Sequence, residues 1–265
     1  MTEYFIDKIS TSVTSFTSRR NHVFYLIEGE SVAYVIDTAM ESAAIRPMLE
    51  TWTDKPLVLL VTHMHCDHMY HADEFDTVYV PKKDLKAWGN LKKEAWFATL
   101  IFKEWPKNYD VSRYLAFEEE QAFDLDSTRS LEVIEAPGHS PGSSLFVYQA
   151  EKLIFVGDAF YANTWLWLPS SGSLSNYLQM IEGLLEKLSP YADYTFIGGH
   201  RPQQRLADQE LNPLISYETL KDMKTLCLAR LEGRISPVEK PRYGPFHLEI
   251  YRLGQAGLWL KKKTN

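Results

Sequence analysis

The densest run of metal-ligand side chains in the 265-residue chain is Thr62-His63-Met64-His65-Cys66-Asp67-His68, with four imidazole or carboxylate groups in six positions. If the run is extended, alternation brings His63, His65 and Asp67 to one side, and a bend at His68 turns its ring toward a neighbouring position. Imidazole and carboxylate bind zinc, iron and manganese at neutral pH, so the run can begin two metal sites. The alternative is a solvated polar turn. Such turns draw on Gly, Asn, Asp and Ser rather than on three histidines. One run supplies too few ligands for two ions, so more are expected at later strand ends. Three candidates follow: His139 in Pro137-Gly138-His139-Ser140-Pro141-Gly142, Asp158 in Phe155-Val156-Gly157-Asp158, and His200 in Gly198-Gly199-His200. Singly, each reads as a loop histidine or a helix-capping aspartate. Jointly they read as a metal site.

These residues need strands that end beside one another. β-rich stretches occur at 4–9, 13–16, 22–28 and 32–37, the last two joined at Glu28-Gly29-Glu30 as a hairpin. The apolar run 57–62 suits a buried strand ending on the histidine run, and further strands are expected at 77–80, 131–136, 144–149, 152–156 and 194–197. Helices are expected over 42–52, 82–105, 173–188 and 208–233, with a closing hairpin of 246–252 and 257–261 around Leu253-Gly254-Gln255. Mixed elements with few long gaps imply a layered α/β architecture. The composition, 45% hydrophobic and 24% charged, is that of a globular protein and argues against disorder and coiled coil. Lys plus Arg total 28 against 35 Asp plus Glu, for a formal charge of −7 without a long block of one sign, so nucleic acid is a poor candidate partner. Two cysteines, Cys66 and Cys227, are too few for a disulfide framework, and the acidic start is no leader peptide, so a cytoplasmic location is expected. No apolar run approaches the ~20 residues of a membrane helix.

In its ordered motifs the chain resembles the metallo-β-lactamase-fold superfamily, specifically its binuclear metallohydrolases of glyoxalase II and lactonase type. The motifs are His-x-His-x-Asp-His at 63–68, Gly-His-Ser at 138–140, Gly-Asp at 157–158 and Gly-Gly-His at 198–200, within a stretch from about His22 to Pro202. Asp37 matches a further position, usually structural. The resemblance implies an αββα sandwich, α+β in class, with the metals at one edge between two sheets. One metallo-β-lactamase-like domain over 1–265 is expected, with a motif-bearing core of about 22–205 and a C-terminal extension of helix and hairpin over 206–265. The resemblance puts His63, His65 and His139 on one divalent ion, zinc foremost with manganese or iron as alternatives. Asp67, His68 and His200 would bind a second, and Asp158 would bridge them.

Two such ions supply hydroxide at neutral pH, which makes the expected activity hydrolysis of an ester, thioester or lactone, with Asp67 orienting the nucleophile. Cys66, between two ligands, reads as a packed small residue. The family's β-lactamases generally lack a carboxylate at the position of Asp158, so antibiotic hydrolysis is disfavoured. Tyr161 resembles the tyrosine with which lactonases of this fold hydrogen-bond the substrate carbonyl; a half-buried aromatic beside the site is the alternative. The aromatic-rich segments 82–105 and 160–169 are expected either to wall an apolar pocket for a small-molecule substrate or to bury their rings in the core or a homodimer interface. The C-terminal region lacks a recognisable glutathione-binding arrangement, which disfavours S-lactoylglutathione. The competing readings are an iron persulfide dioxygenase, whose metal would use His63, His139 and Asp158, a phosphodiesterase of the same fold, and a metal-binding protein without turnover.

Overall fold

The computed structural model describes residues 4–41, 43–102, 107–200 and 215–262, without the side chains of residues 97 and 99–102. Seven strands form the first sheet in sequence order: β1 (Phe5–Lys8), β2 (Val13–Thr17), β3 (Val23–Glu28), β4 (Ala33–Ile36), β5 (Leu57–Leu60), β6 (Thr77–Pro81) and β7 (Leu115–Phe117). Neighbours are antiparallel from β1 to β4 and parallel from β4 to β7. The second sheet holds β8 (Ala122–Asp124), β9 (Ser130–Glu135), β10 (Ser144–Tyr148), β11 (Leu153–Gly157) and β13 (Thr195–Gly198), with only β13 parallel to its neighbour β11. A third sheet joins β12 (Thr164–Trp165) to β16 (Ala256–Lys261), β15 (Phe246–Leu253) and β14 (Arg242–Tyr243).

Alternation assigns the faces. Tyr25, Ile27 and Ile36 point inward and meet Phe146, Tyr148 and Phe155 of the second sheet. Phe24, Leu26 and Val35 point outward and are covered by Ile45, Leu49, Met69 and Leu91. The outer face of the second sheet, through Val147, Ile154 and Phe196, is covered by Tyr177, Ile181, Leu184, Leu220, Met223 and Leu226. Central strands are therefore buried on both faces, which is why they read as unbroken apolar runs. The covering helices are α1 (Arg46–Leu49), α2 (Cys66–Met69), α3 (Lys82–Lys86) and α4 (Trp88–Phe102) on the first side, and α5 (Leu174–Lys187) and α6 (Tyr217–Leu231) on the second. The expected αββα sandwich is present.

Several elements differ from expectation. The helix expected over 42–52 is only α1, because Pro47 is tolerated solely in a first turn and thereby fixes where the helix starts. The helix expected over 82–105 breaks at Ala87, whose carbonyl accepts the Asn90 and Leu91 amides that open α4; Trp105 and the side chains of Phe97 and Phe102 lie outside the described residues. α6 begins behind a Ser216 capping box, and the expected start at 208–214 lies outside the described residues. Strands β7, β8, β12 and β14, two or three residues each, are too short to leave an alternation in sequence. Of these, β12 belongs to the 160–169 segment and pairs Thr164 with Leu258 and Trp165 with Trp259.

Candidate metal centre

β5 ends two residues before Thr62, whose amide and hydroxyl both donate to the buried Asp37 carboxylate at 2.7 Å. His63 follows in a bend and His65 in extended chain, but α2 then begins at Cys66. Asp67 thus reaches the site from a helical turn and not from the strand-like alternation expected for it, and the bend expected at His68 is part of the same turn. Cys66 packs with Met40 and Ala95 and also borders the cavity described below. Burial, then Asp67, raises its thiol pKa, so it stays protonated.

Hydrogen bonds assign which ring nitrogen of each histidine carries its proton. The Thr62 hydroxyl donates to Asp37, so it accepts from His63 Nδ1 at 3.1 Å. His63 Nε2 is left as a buried lone pair with no hydrogen-bond partner among the described residues. His65 Nε2 lies 3.3 Å from Glu94 Oε2 and 3.4 Å from Ser170 Oγ, leaving its Nδ1 free. His139 Nδ1 donates to the Trp165 carbonyl at 2.8 Å, leaving Nε2, which stands 2.9 Å from His65 Nδ1. His68 Nδ1 donates to Asp37 Oδ2 at 2.9 Å, and its Nε2 stands 3.2 Å from His200 Nε2. The lone pairs of His65 Nδ1 and His139 Nε2, facing one another at 2.9 Å, repel unless a cation sits between them.

Two carboxylates complete the cluster. Asp67 Oδ2 is 3.2 Å from His200 Nε2 and 3.7 Å from His68 Nε2. Asp158 Oδ1 is 3.6 Å from His68 Nε2 and has no hydrogen-bond partner among the described residues, while Oδ2 is 3.3 Å from His200 Nε2 and 3.7 Å from His139 Nε2. Asp158 therefore stands between the two sets. Tetrahedral donors on ~2.1 Å bonds lie about 3.4 Å apart, close to these separations. Three groups can each hold a metal ion: His63, His65 and His139; His63, His68 and Asp158; and His22, Asp67 and His200. The first is the set expected from sequence. The expected second set, Asp67, His68 and His200, is divided between the other two, and His22 enters unforeseen.

The charges are tightly coupled. Burial, then the neighbouring imidazoles, lowers His63 well below its ordinary value, and burial followed by His65 brings His139 down to about 4. Burial opposes charge on Asp67 and Asp158 too, but nearby histidines outweigh it and hold both carboxyls below their usual range. The same carboxylates, with Asp37 at His68, overcome the burial of His68 and His200 and raise them to about 9 and about 10, so that without a cation each ring takes a second proton, which a bound metal ion would displace to use the nitrogen lone pair. Carboxylates are ionised here at neutral pH, as metal ligation requires. Tyr161 is fully buried, and its hydroxyl donates to Asp158 Oδ2 at 3.2 Å; it does not border the cavity. Burial, then Asp158, keeps that phenol protonated.

The cluster forms the floor of a cavity of about 320 Å³. One part of its lining is the α4 face of Leu91, Glu94, Ala95 and Ala98; another is an aromatic wall of Trp165, Tyr243 and Trp259. Segment 82–105 thus walls the site with small residues and a carboxylate, whereas Trp88 packs on the core and Trp96 is exposed. In segment 160–169, Trp165 and Leu168 border the cavity while the Trp167 ring lies tilted against those of Tyr243 and Phe246. Asn163 braces the aromatic wall by accepting from Trp259 Nε1 at 3.2 Å and Arg252 Nη2 at 2.9 Å.

Besides His22, four contributors escaped the sequence reading. Glu94 is one, although a lone carboxylate on the face Leu91, Glu94, Ala95, Ala98 at helical spacing was a usable signal. Asp84, fully buried, is another: it accepts from the Met64 amide, the Ser140 hydroxyl and the Gly142 amide at 2.8, 2.9 and 2.6 Å. It ties the histidine run to the Gly138-His139-Ser140 loop. Tyr243 and Trp259 are the others, since nothing local places a C-terminal hairpin at the site.

A profile of the metallo-beta-lactamase superfamily matches residues 17–227, and the chain belongs to that superfamily. Its relatives are hydrolases. Human acyl-coenzyme A thioesterase MBLAC2 is 25% identical over 250 residues, covering 80% of this chain and 88% of that protein. Hydroxyacylglutathione hydrolase GloC of Haemophilus influenzae is 22% identical over 227 residues, covering 80% of this chain and all of that one. The solved metallo-beta-lactamase from Pontibacter korlensis shares the fold at a TM-score of 0.57 and 17% identity, covering 85% of this chain and 99% of that chain. No helix among the described residues is long and apolar enough to cross a membrane.

Proposed function

We propose that this chain is a hydrolase with two metal ions that cleaves thioesters bearing an apolar acyl group. The observation that carries the reading is the ring-proton pattern. His63, His65, His68 and His139 each have one nitrogen facing an acceptor and the other presented as a lone pair to the cluster, the arrangement of metal-binding histidines. In this reading His63, His65 and His139 hold one ion, Asp67, His68 and His200 the other, and Asp158 is shared. Divalent cations held there supply an acidified water as nucleophile and a positive field for the carbonyl oxygen.

The chain's own residues do the rest. Asp67, partly open to the cavity, orients the nucleophile and takes its proton. Tyr161 holds Asp158 in place through its hydroxyl. Leu91, Ala95, Ala98 and Leu168 line, with the aromatic wall, a space suited to an acyl chain and exclude water from it. Two of the named relatives are hydrolases of thioesters, which favours that class over lactones and phosphodiesters.

The test combines metal analysis of protein purified without added metal with a panel of acetyl to decanoyl thioesters, lactones, aryl esters and phosphodiesters. The expected result is about two zinc or manganese ions per chain and a kcat/KM that rises with acyl length. One iron per chain with oxygen consumption on a persulfide would overturn the proposal in favour of a dioxygenase.

A further inference from the structure

His22 belongs to one of the three clusters that can hold a metal, yet its hydrogen bonding is opposite to that of the four histidines described above. It is buried and borders the cavity, and its ring stands edge-on to His200 with centroids 5.1 Å apart. Its Nδ1 accepts the backbone N–H of Met40 at 3.3 Å. A ring nitrogen that accepts carries no proton, so the proton of His22 is on Nε2. That N–H is 3.9 Å from Asp67 Oδ2, beyond hydrogen-bond reach, and no hydrogen bond to it is present among the described residues. To ligate a metal through Nε2, His22 would have to move its proton to Nδ1, against the Met40 amide. Two N–H groups would then confront each other.

The backbone fixes the position of this residue. The turn before it is closed by the Ser18 amide donating to the His22 carbonyl at 2.9 Å and the His22 amide donating to Ser18 Oγ at 3.2 Å. Asn21 takes the left-handed φ of 68° that the turn requires. Beyond it, Val23 donates to the Gly199 carbonyl at 2.8 Å, tying His22 beside His200. A preset N–H aimed into a cavity beside the ligand cluster is the geometry of an oxyanion donor. Tyr161, which sequence suggested for that task, has its hydroxyl on Asp158 instead.

We propose that His22 is a catalytic hydrogen-bond donor, its Nε2–H donating a hydrogen bond to the carbonyl oxygen of the substrate, and is not a metal ligand. The assignment to a carbonyl rests on the hydrolase reading; the distinction between donor and ligand does not.

Three measurements test it. Two-bond proton–nitrogen correlation spectra of the zinc-loaded, ¹⁵N-labelled protein, with the His22 signals identified by their loss in His22→Ala, should show the Nε2–H tautomer. The Nδ1–H tautomer would overturn the proposal. Metal content of His22→Ala should equal that of the wild type, and loss of about one ion per chain would make His22 a ligand. On S-decanoyl-N-acetylcysteamine, kcat/KM of His22→Ala should fall about 10²- to 10³-fold; a fall of less than threefold would sink the catalytic role. If the wild type hydrolyses none of the panel, the hydrolase reading fails and the carbonyl assignment with it, while the first two measurements still decide between donor and ligand.

Discussion

Glu94→Gln removes one charge and no volume from the wall of the cavity, and its expected effect falls on one metal position. In the wild type Glu94 Oε1 accepts the Ser170 amide, while Oε2 accepts the Ser170 hydroxyl at 2.7 Å and faces His65 Nε2 at 3.3 Å. If the glutamine oxygen keeps the Ser170 amide, its NH₂ group meets the Ser170 hydroxyl and His65 Nε2–H. The hydroxyl can rotate to accept. The imidazole can relieve the clash only by moving its proton to Nδ1, the nitrogen that faces His139 Nε2. His65 would then present an N–H where a ligand lone pair is needed. Loss of a carboxylate behind a metal-binding histidine typically weakens metal affinity about 10- to 100-fold, or about 1.4 to 2.7 kcal/mol. Zinc titration against a chromophoric chelator, resolved into two binding steps, should show that loss in the step assigned to His63, His65 and His139. The step assigned to Asp67, His68 and His200 should stay within threefold. Unchanged affinity in both steps would refute the assignment of His65 Nδ1 as a ligand atom; a loss confined to the other step would refute the division into two sets.

Three further outcomes are expected. Gly199→Ala places a methyl group against the His68 ring and 3.0 Å from Asp158 Oδ1, so metal analysis should show loss of about one ion per chain while the circular dichroism spectrum is retained; full metal content would disprove the close approach. Trp259→Ala opens the aromatic wall and should raise KM for decanoyl thioesters about tenfold with a much smaller change in kcat and in metal content, whereas an unchanged KM would remove the wall from the binding site. Glu74 accepts the Ile45 and Arg46 amides at 2.9 Å each and faces His71 Nδ1 at 2.5 Å; burial opposes its charge, but these donors, His71 foremost, hold its carboxyl below the ordinary glutamate value. A depressed carboxylate stabilises the fold above its unfolded pKa and loses that stabilisation as pH falls through the folded one. Urea unfolding should therefore show Glu74→Gln less stable by about 1 kcal/mol at pH 7, with the difference shrinking below about pH 4, and a difference that persists at pH 3 would contradict this.

Most strands were legible because each is an apolar run bounded by turn residues, and burial between sheets and helices demands such runs. The short pairings were not. β12 is held by β16, distant in sequence, and β14 is a two-residue arm turned directly onto β15; both are too short to leave a periodic signal. The histidine run shows the same division at smaller scale: its residue types were legible, but its geometry beyond His65 follows α2 and not strand alternation.

From its own residues the sequence determined which side chains are available for metal chemistry, their order along the chain, and the strands that end on them. These are local properties, carried by residue type and by spacings of a few positions. Tertiary structure alone decided which nitrogen of each ring faces the cluster, because the partners that set it are remote: Asp37 for His68, Glu94 for His65 and the Trp165 carbonyl for His139. It also decided that His22 turns a proton, and not a lone pair, toward the cavity, since the Met40 amide reaches Nδ1 only after β4 has paired with β3 and brought the chain back. A proton's place on an imidazole follows the acceptor across the fold, and no spacing in the chain specifies that.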